Sequence, residues 1–234
     1  MQRLDKILSD AKAASRRELR SYIQSGRVAV NGVVIRKPET KFDESSVTVT
    51  LDGRQIETKR TVVLMLHKPA GYVTSTREGN SPTVMELLPE RYQKLGVLPV
   101  GRLDKETEGL LLFTNDGELH HRLISPGSCV WKTYYAEHEG TATQQDVEAF
   151  RRGLTLADGT VCFPAVLEPI SPGKSRVKVQ EGKYHQVRRM LASRQMHVTY
   201  LRRIAVGKLT LDDLKMGDIR EISAEEAKRS TGLL

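Results

Sequence analysis

Three short segments of this chain carry residue types that could do chemistry. The first is Gly101-Arg-Leu-Asp-Lys-Glu-Thr-Glu-Gly109. It sets Asp104 in a glycine-bounded loop just ahead of an apolar run, Leu110 to Phe113. A carboxylate at the rim of a buried strand is partly desolvated, and it serves as nucleophile or general base if a cation keeps it ionised. Arg102 stands two residues earlier. The second segment is Trp131-Lys-Thr-Tyr-Tyr-Ala136. Adjacent tyrosines on a strand face opposite sides, so one belongs in the core and one could line a cleft. There a ring stacks on a base and a hydroxyl relays a proton. The third is Glu181-Gly-Lys-Tyr-His-Gln-Val-Arg-Arg-Met-Leu191. Gly182 permits a tight turn, His185 and Gln186 open a helix, and Val187, Met190 and Leu191 form its inner face. Arg188 and Arg189 project from its first turns, and a buried arginine paired with an aspartate makes a charge-assisted bond. Taken singly, each segment also has an ordinary reading: a turn-capping aspartate, a core tyrosine, a solvated basic face.

The elements that must hold these segments run from Val62 onward. Val62–Leu66 reads as an apolar strand leading into Lys68-Pro69 and a Gly71 turn, with a second strand beyond it. The stretch from Thr83 is helical at its start, and Asn115-Asp116-Gly117 reads as a turn. A strand begins at Thr133. Residues 143–154 form a helix with a Thr143 cap and apolar Val147, Phe150 and Leu154. Residues 175–182 alternate as a strand, 185–196 are helical, and 205–211 return to strand. This pattern suits a mixed, mostly antiparallel sheet flanked by helices, without a regular βαβ repeat.

The first 60 residues differ in character. They hold a net charge of +5 out of the chain's +8, and the remaining 174 hold +3. Leu4, Ile7 and Leu8 have helical spacing. Ser15 and Glu18 form a capping box, with Leu19, Tyr22 and Ile23 as the apolar stripe behind it and Gly26 as the stop. Asn31-Gly32 and Asp52-Gly53 are hairpin turns. Two short helices and a few strands make a small α+β module over 1–60, followed by a larger domain over 61–234. Arg16, Arg17 and Arg20 cluster on the second helix and Arg27 follows it. The cluster is a solvated face or a site for RNA phosphates.

Arg3-Leu-Asp-Lys6, Ser15-Arg16, Ile23 and Gly26 to Gly32 resemble the S4 RNA-binding domain. The resemblance implies that Arg3, Lys6, Arg16, Arg17, Arg20, Arg27 and Asn31 lie on or near an RNA-facing surface. The long string Gly101–Pro126, the Trp131–Ala136 segment and the Glu181–Met190 segment are similar to the motifs of pseudouridine synthases. They match the branch typified by the small-subunit rRNA enzyme RsuA, in which an S4-like module usually precedes the catalytic domain. One departure is His67, where the family usually has asparagine. The resemblance implies that Asp104 attacks a flipped uridine, so that the base leaves, rotates and reattaches through C5. It implies that Tyr134 stacks on the base and assists removal of the C5 proton, that Arg188 pairs with Asp104, and that Arg102 helps displace the base. Lys183, His185 and Gln186 are expected to contact RNA. No metal and no organic cofactor is expected. The implied substrate is one uridine of 16S rRNA, free or in a small-subunit assembly intermediate. The alternatives are the same reaction on 23S rRNA, or an S4-type assembly factor without catalysis. A haloacid-dehalogenase-like phosphatase would want an aspartate where Glu106 stands, and an apolar strand directly before the nucleophile.

The bulk properties agree with a nucleic-acid partner: the isoelectric point is near 9.5. Cys129 and Cys162 are too few for a disulfide scaffold and too far apart for a CxxC metal site. The N-terminus is charged from its third residue, and no run approaches the roughly 18 apolar residues of a membrane span. A cytoplasmic protein, acting as a monomer, is the expectation.

Overall fold

The computed structural model describes residues 1–11, 13–43, 47–56, 61–76 and 79–233, with only the backbone described at 126. The chain divides into two compact units, Met1–Thr61 and Val62–Leu234. The first contains β1 (Gln2–Arg3), α1 (Leu4–Asp10), α2 (Arg16–Gln24), β2 (Val28–Val30), β3 (Val33–Val34), β4 (Lys41–Phe42), β5 (Val49–Leu51) and β6 (Arg54–Ile56). Four strands form an antiparallel sheet in the order β3-β2-β5-β6, and β1 pairs with β4. Ser15 caps α2 through the expected reciprocal bonds with Glu18. Both hairpins turn on residues with positive φ: Asn31 (50°) with Gly32 (81°), and Asp52 (51°) with Gly53 (77°). Two left-handed residues in succession match the right-handed twist of paired strands. Leu4, Ile7, Leu8, Leu19 and Ile23 pack on Val28, Val30 and Val49 to make the core.

The second unit contains β7 (Val63–Lys68), α3 (Glu90–Lys94), β8 (Leu98–Val100), β9 (Glu108–Thr114), α4 (Gly117–Ile124), β10 (Lys132–His138), α5 (Gln144–Arg152), β11 (Val166–Ser171), β12 (Lys174–Val179), α6 (Gln186–Ala192), β13 (Val198–Val206), β14 (Leu209–Thr210), β15 (Ile219–Ile222) and α7 (Ala224–Thr231). Nine strands form one mixed sheet with the main order β11-β12-β10-β13-β9-β7-β15. Its pairings are antiparallel except β13 with β9. Both faces are covered. Leu64, Leu66, Leu111 and Phe113 enter one core cluster, and their neighbours Val63, Met65, Leu110 and Leu112 enter the other. That is why β7 and β9 read as unbroken apolar runs rather than alternating ones. Among the described residues no helix is long and apolar enough to cross a membrane.

Three local expectations are corrected. Among the described residues between Gly71 and Thr83 there is no second strand, only a single parallel bridge between Val73 and Thr83. The stretch from Thr83 to Leu88 forms consecutive turns, with Glu86 accepting from the Thr83 amide at 2.6 Å. Pro89 then delays the helix to Glu90. Asn115-Asp116-Gly117 is a helix start rather than a turn: the Asp116 carboxylate accepts from the amides of Glu118 (2.9 Å) and Leu119 (3.1 Å) and opens α4. An Asn-Asp-Gly string suits both uses, because aspartate caps helices as readily as it makes turns.

Gly109 is fixed by the crossing of β9 with its neighbours. Its φ is 108°, and a Cβ there would stand 2.7 Å from the Arg203 amide nitrogen and closer still to its carbonyl oxygen. Gly109→Ala is therefore expected to cost about 3 kcal/mol through strain and backbone collision. That corresponds to a fall in Tm of roughly 6–12 °C by calorimetry for a chain of this size. An unchanged Tm would show that the β9–β13 junction yields.

Candidate active site

One rank of the sheet organises the site. Tyr134 on β10 is in register with Arg203 on β13, Arg203 with Gly109 on β9, and Gly109 with Lys68 on β7. Strand alternation puts Tyr134, Gly109 and Lys68 on the face that carries Leu64, Leu66, Leu111 and Phe113. The same core cluster contains Leu103 from the Asp104 loop and Val187, Met190 and Leu191 from α6. The three segments singled out in the sequence thus converge on one face of one sheet.

The loop that carries Asp104 joins β8 to β9 and is pinned at several points. Its backbone closes a turn, Thr107 N–H to Asp104 carbonyl at 3.0 Å. The Thr74 hydroxyl donates to the Leu103 carbonyl (2.7 Å) and accepts from the Leu103 amide (3.1 Å). The Gly71 amide donates to the Lys105 carbonyl at 2.9 Å. Lys68 is fully buried, and its ammonium donates to three carbonyls: Pro69 (2.9 Å), Lys105 (3.1 Å) and Thr107 (2.8 Å). Burial pushes its pKa down from 10.5 to about 8, against the opposing pull of Glu106, Asp104 and Glu108. Lys68 and Gly71 are read from the sequence only as a strand end and a turn, and Thr74 only as part of the strand expected beyond it. The available signal was a lysine ending an otherwise apolar strand, since a charge is buried there only when fully bonded.

Asp104 itself is one-third exposed, and the imidazole of His185 lies beside it, with Nε2 3.5 Å from Oδ1. This differs from the expected pairing with Arg188. The half-buried Arg188 donates instead to the Val198 carbonyl at 3.3 Å and makes no ion pair with a described residue. The reason lies in the turn before α6. His185 adopts φ 46°, which swings its ring toward the Asp104 loop and stacks it on Tyr184. Tyr134 is buried, whereas Tyr135 on the opposite face bonds Glu137 and meets Tyr200 edge-on. Arg102, two residues before Asp104, is exposed.

Gln186 is also corrected. Expected on the RNA side, it is buried, its amide donating to Glu181 (2.7 Å) and accepting from the Lys183 backbone (3.0 Å). Lys183 is half-buried and paired with Glu181 at 3.0 Å.

In the first unit, Arg3, Lys6, Arg16, Arg17 and Arg20 line one groove together with Asp5, Ser21 and Gln24. Arg3 grips Asp5 with two bonds (2.9 and 2.7 Å), and Arg20 lies 3.7 Å from the same carboxylate. Lys6, Arg16 and Arg17 are exposed and form no ion pair with a described residue, so they carry the groove's uncompensated charge. Two expected members of that surface are otherwise engaged. Arg27 clasps Asp52 with two bonds and lies 4.0 Å over the Tyr22 ring, and the carboxylate raises its pKa further. Asn31 spends its side-chain oxygen on the Thr48 amide at 2.9 Å, tying its hairpin turn to the residue ahead of β5.

Comparison with known proteins adds two domain matches. A family model described as RNA pseudouridylate synthase matches residues 62–193, and one described as S4 domain matches residues 2–47. The chain is 40% identical to the ribosomal small subunit pseudouridine synthase A of Pseudomonas aeruginosa, covering 96% of this chain and 98% of that protein. The enzyme of the same description from Escherichia coli K12 is 38% identical, over 96% and 97%. An RNA pseudouridine synthase of Bacillus subtilis is 34% identical, over 96% of each. A crystal structure of a pseudouridylate synthase superposes with a TM-score of 0.68 at 26% identity, covering 98% of this chain and all of that one.

Proposed function

The chain belongs to the RNA pseudouridylate synthase family, with an S4 domain ahead of the synthase domain, and from that premise we propose that it isomerises one uridine of 16S rRNA, free or within a small-subunit assembly intermediate. The observation that carries this reading is the convergence of the Asp104 loop, Tyr134 and α6 on one face of the sheet. The Asp104 carboxylate attacks the flipped nucleotide, the bond from N1 to the sugar breaks, and the base rotates. A bond then forms from C5 to the sugar as the bond between the sugar and Asp104 breaks and frees the carboxylate, C5 gives up its proton, and N1 gains one. Atoms and electrons balance without a cofactor. Tyr134 stacks on the base and assists removal of the C5 proton, and Arg102 helps displace the base from its stack. Arg188 stands in the first turn of α6, three residues after His185. It closes on Asp104 once the base is in place, since catalytic bonds of this kind tighten in the complex. The groove of Lys6, Arg16 and Arg17 holds RNA phosphates, and Arg3 and Arg20 flank it. On this reading the enzyme acts as a monomer in the cytoplasm.

The test is to map pseudouridine in both large rRNAs of a strain lacking this gene. One 16S position is expected to revert to uridine. Loss confined to 23S rRNA would move the substrate, and no loss in either would overturn the reading. A double charge reversal, Arg16→Glu with Arg17→Glu, is expected to weaken RNA binding. It should also make the slope of log affinity against log salt shallower by about 1.4–1.8, the share of two lost phosphate contacts. An unchanged slope would remove the groove from the interface.

A further inference from the structure

We propose that Tyr184, together with Val161 and Phe163 on the segment bonded to its own through Lys183, Arg189 and Glu181, forms a shelf on which an unpaired base next to the target uridine stacks; this rests on Asp104 being the reacting group. Tyr184 is 75% exposed, Val161 63% and Phe163 49%. One face of the Tyr184 ring lies on His185, with centroids 4.0 Å apart and planes 14° apart. His185 in turn touches Asp104. The ring is therefore one side chain removed from the carboxylate.

The shelf is built rather than loose. Arg189 donates to the Tyr184 carbonyl at 3.2 Å and also binds Asp158 at 2.5 Å. The Phe163 amide donates to the buried Glu181 at 2.9 Å. Lys183 bonds the Val161 carbonyl and lies 5.4 Å over the Phe163 ring. These bonds tie residues 158–163 to residues 181–189, so the apolar groups are held out in water by a rigid frame.

Charge decides what binds there. Lys183 is paired with Glu181 and Arg189 with Asp158, so neither cation is left over for a phosphate. The patch offers ring faces, which suit a base. The chemistry supplies that base, because flipping the target strips a neighbour of its stacking partner, and stacking on an aromatic replaces what is lost.

Two measurements test this on the full chain: binding of a nine-residue oligouridine, and pseudouridine formation in 16S rRNA from the deletion strain. Tyr184→Ala is expected to weaken oligouridine binding about tenfold and Phe163→Ala several-fold, while Tyr184→Phe stays near wild type, as stacking requires. In turnover the loss should fall on KM rather than kcat, since the contact exists before and during reaction. Tyr184 is exposed, so its variants should melt with the wild type. The proposal falls if Tyr184→Ala binds oligouridine like wild type. It falls also if Tyr184→Phe is as weak as Tyr184→Ala, or if only kcat drops, which would mean Tyr184 merely positions His185. Wild type that binds oligouridine with this Tyr184 dependence yet leaves 16S rRNA unmodified would overturn the function reading and leave the shelf standing.

Discussion

Asp104→Asn protein is expected to form no detectable pseudouridine while still binding RNA. Loss of a nucleophile that acts within a group typically lowers kcat by on the order of 10⁴-fold or more. Asparagine keeps the size of the side chain and an oxygen that His185 can reach, and the turn at Asp104 is made by backbone atoms. The loop is pinned through Leu103, Lys105 and Thr107 rather than through the carboxylate. The substitution therefore removes the chemistry and leaves the fold, which melting temperature and circular dichroism would verify. Residual activity near wild type would shift attention to the other carboxylates of the loop. Glu106 is exposed, and Glu108 is already bonded to Tyr200 at 2.6 Å. The same variant separates enzyme from assembly factor. A deletion strain restored in ribosome assembly by Asp104→Asn protein, with the modification still missing, would show that RNA binding has a role of its own.

How much of this was legible depended on whether the cause was local. The capping box at Ser15, the two hairpin turns and the buried strands β7 and β9 follow from residues within a few positions of one another, and each was readable. The α4 cap was misread because Asn-Asp-Gly serves turns and helix starts alike, and only the amides that Asp116 meets decide between them. The stretch from Gly71 to Leu88 was misread for a different reason. Thr74 is committed to Leu103, 29 positions away, so local strand and helix tendencies yield to a distant bond. At the site, residue types marked Asp104, Tyr134 and His185, but no spacing rule foretells that a left-handed residue turns His185 rather than Arg188 toward the carboxylate. Gln186 and Arg27 were likewise read as free polar groups, although Glu181 and Asp52 take them up.

Lys68→Met is expected to separate stability from catalysis. The ammonium is buried, and the fall of its pKa from 10.5 to about 8 means that its charge costs the folded state on the order of 3 kcal/mol at neutral pH. Methionine removes that cost and leaves three carbonyls without their donor, at about 1–3 kcal/mol for each that water cannot reach. The two effects oppose, so Tm should fall by less than the loss of three buried bonds alone would give. The loop loses its central tie, however, and a displacement of about 1 Å at Asp104 is enough to lower kcat about 10²-fold. The pH dependence sharpens the contrast. Between about 8 and 10.5 the unfolded chain holds the Lys68 proton more tightly than the folded one, so this group makes stability rise with pH across that window. A neutral amine has only two N–H donors for three carbonyls, so the loop loosens as the proton leaves. Activity is therefore expected to fall with an apparent pKa near 8 while the melting temperature is level or rising, and Lys68→Met should lack both features. Wild-type activity that stays flat to pH 9.5, or a Lys68→Met enzyme with unchanged kcat, would mean that Thr74 and Gly71 hold Asp104 without the lysine.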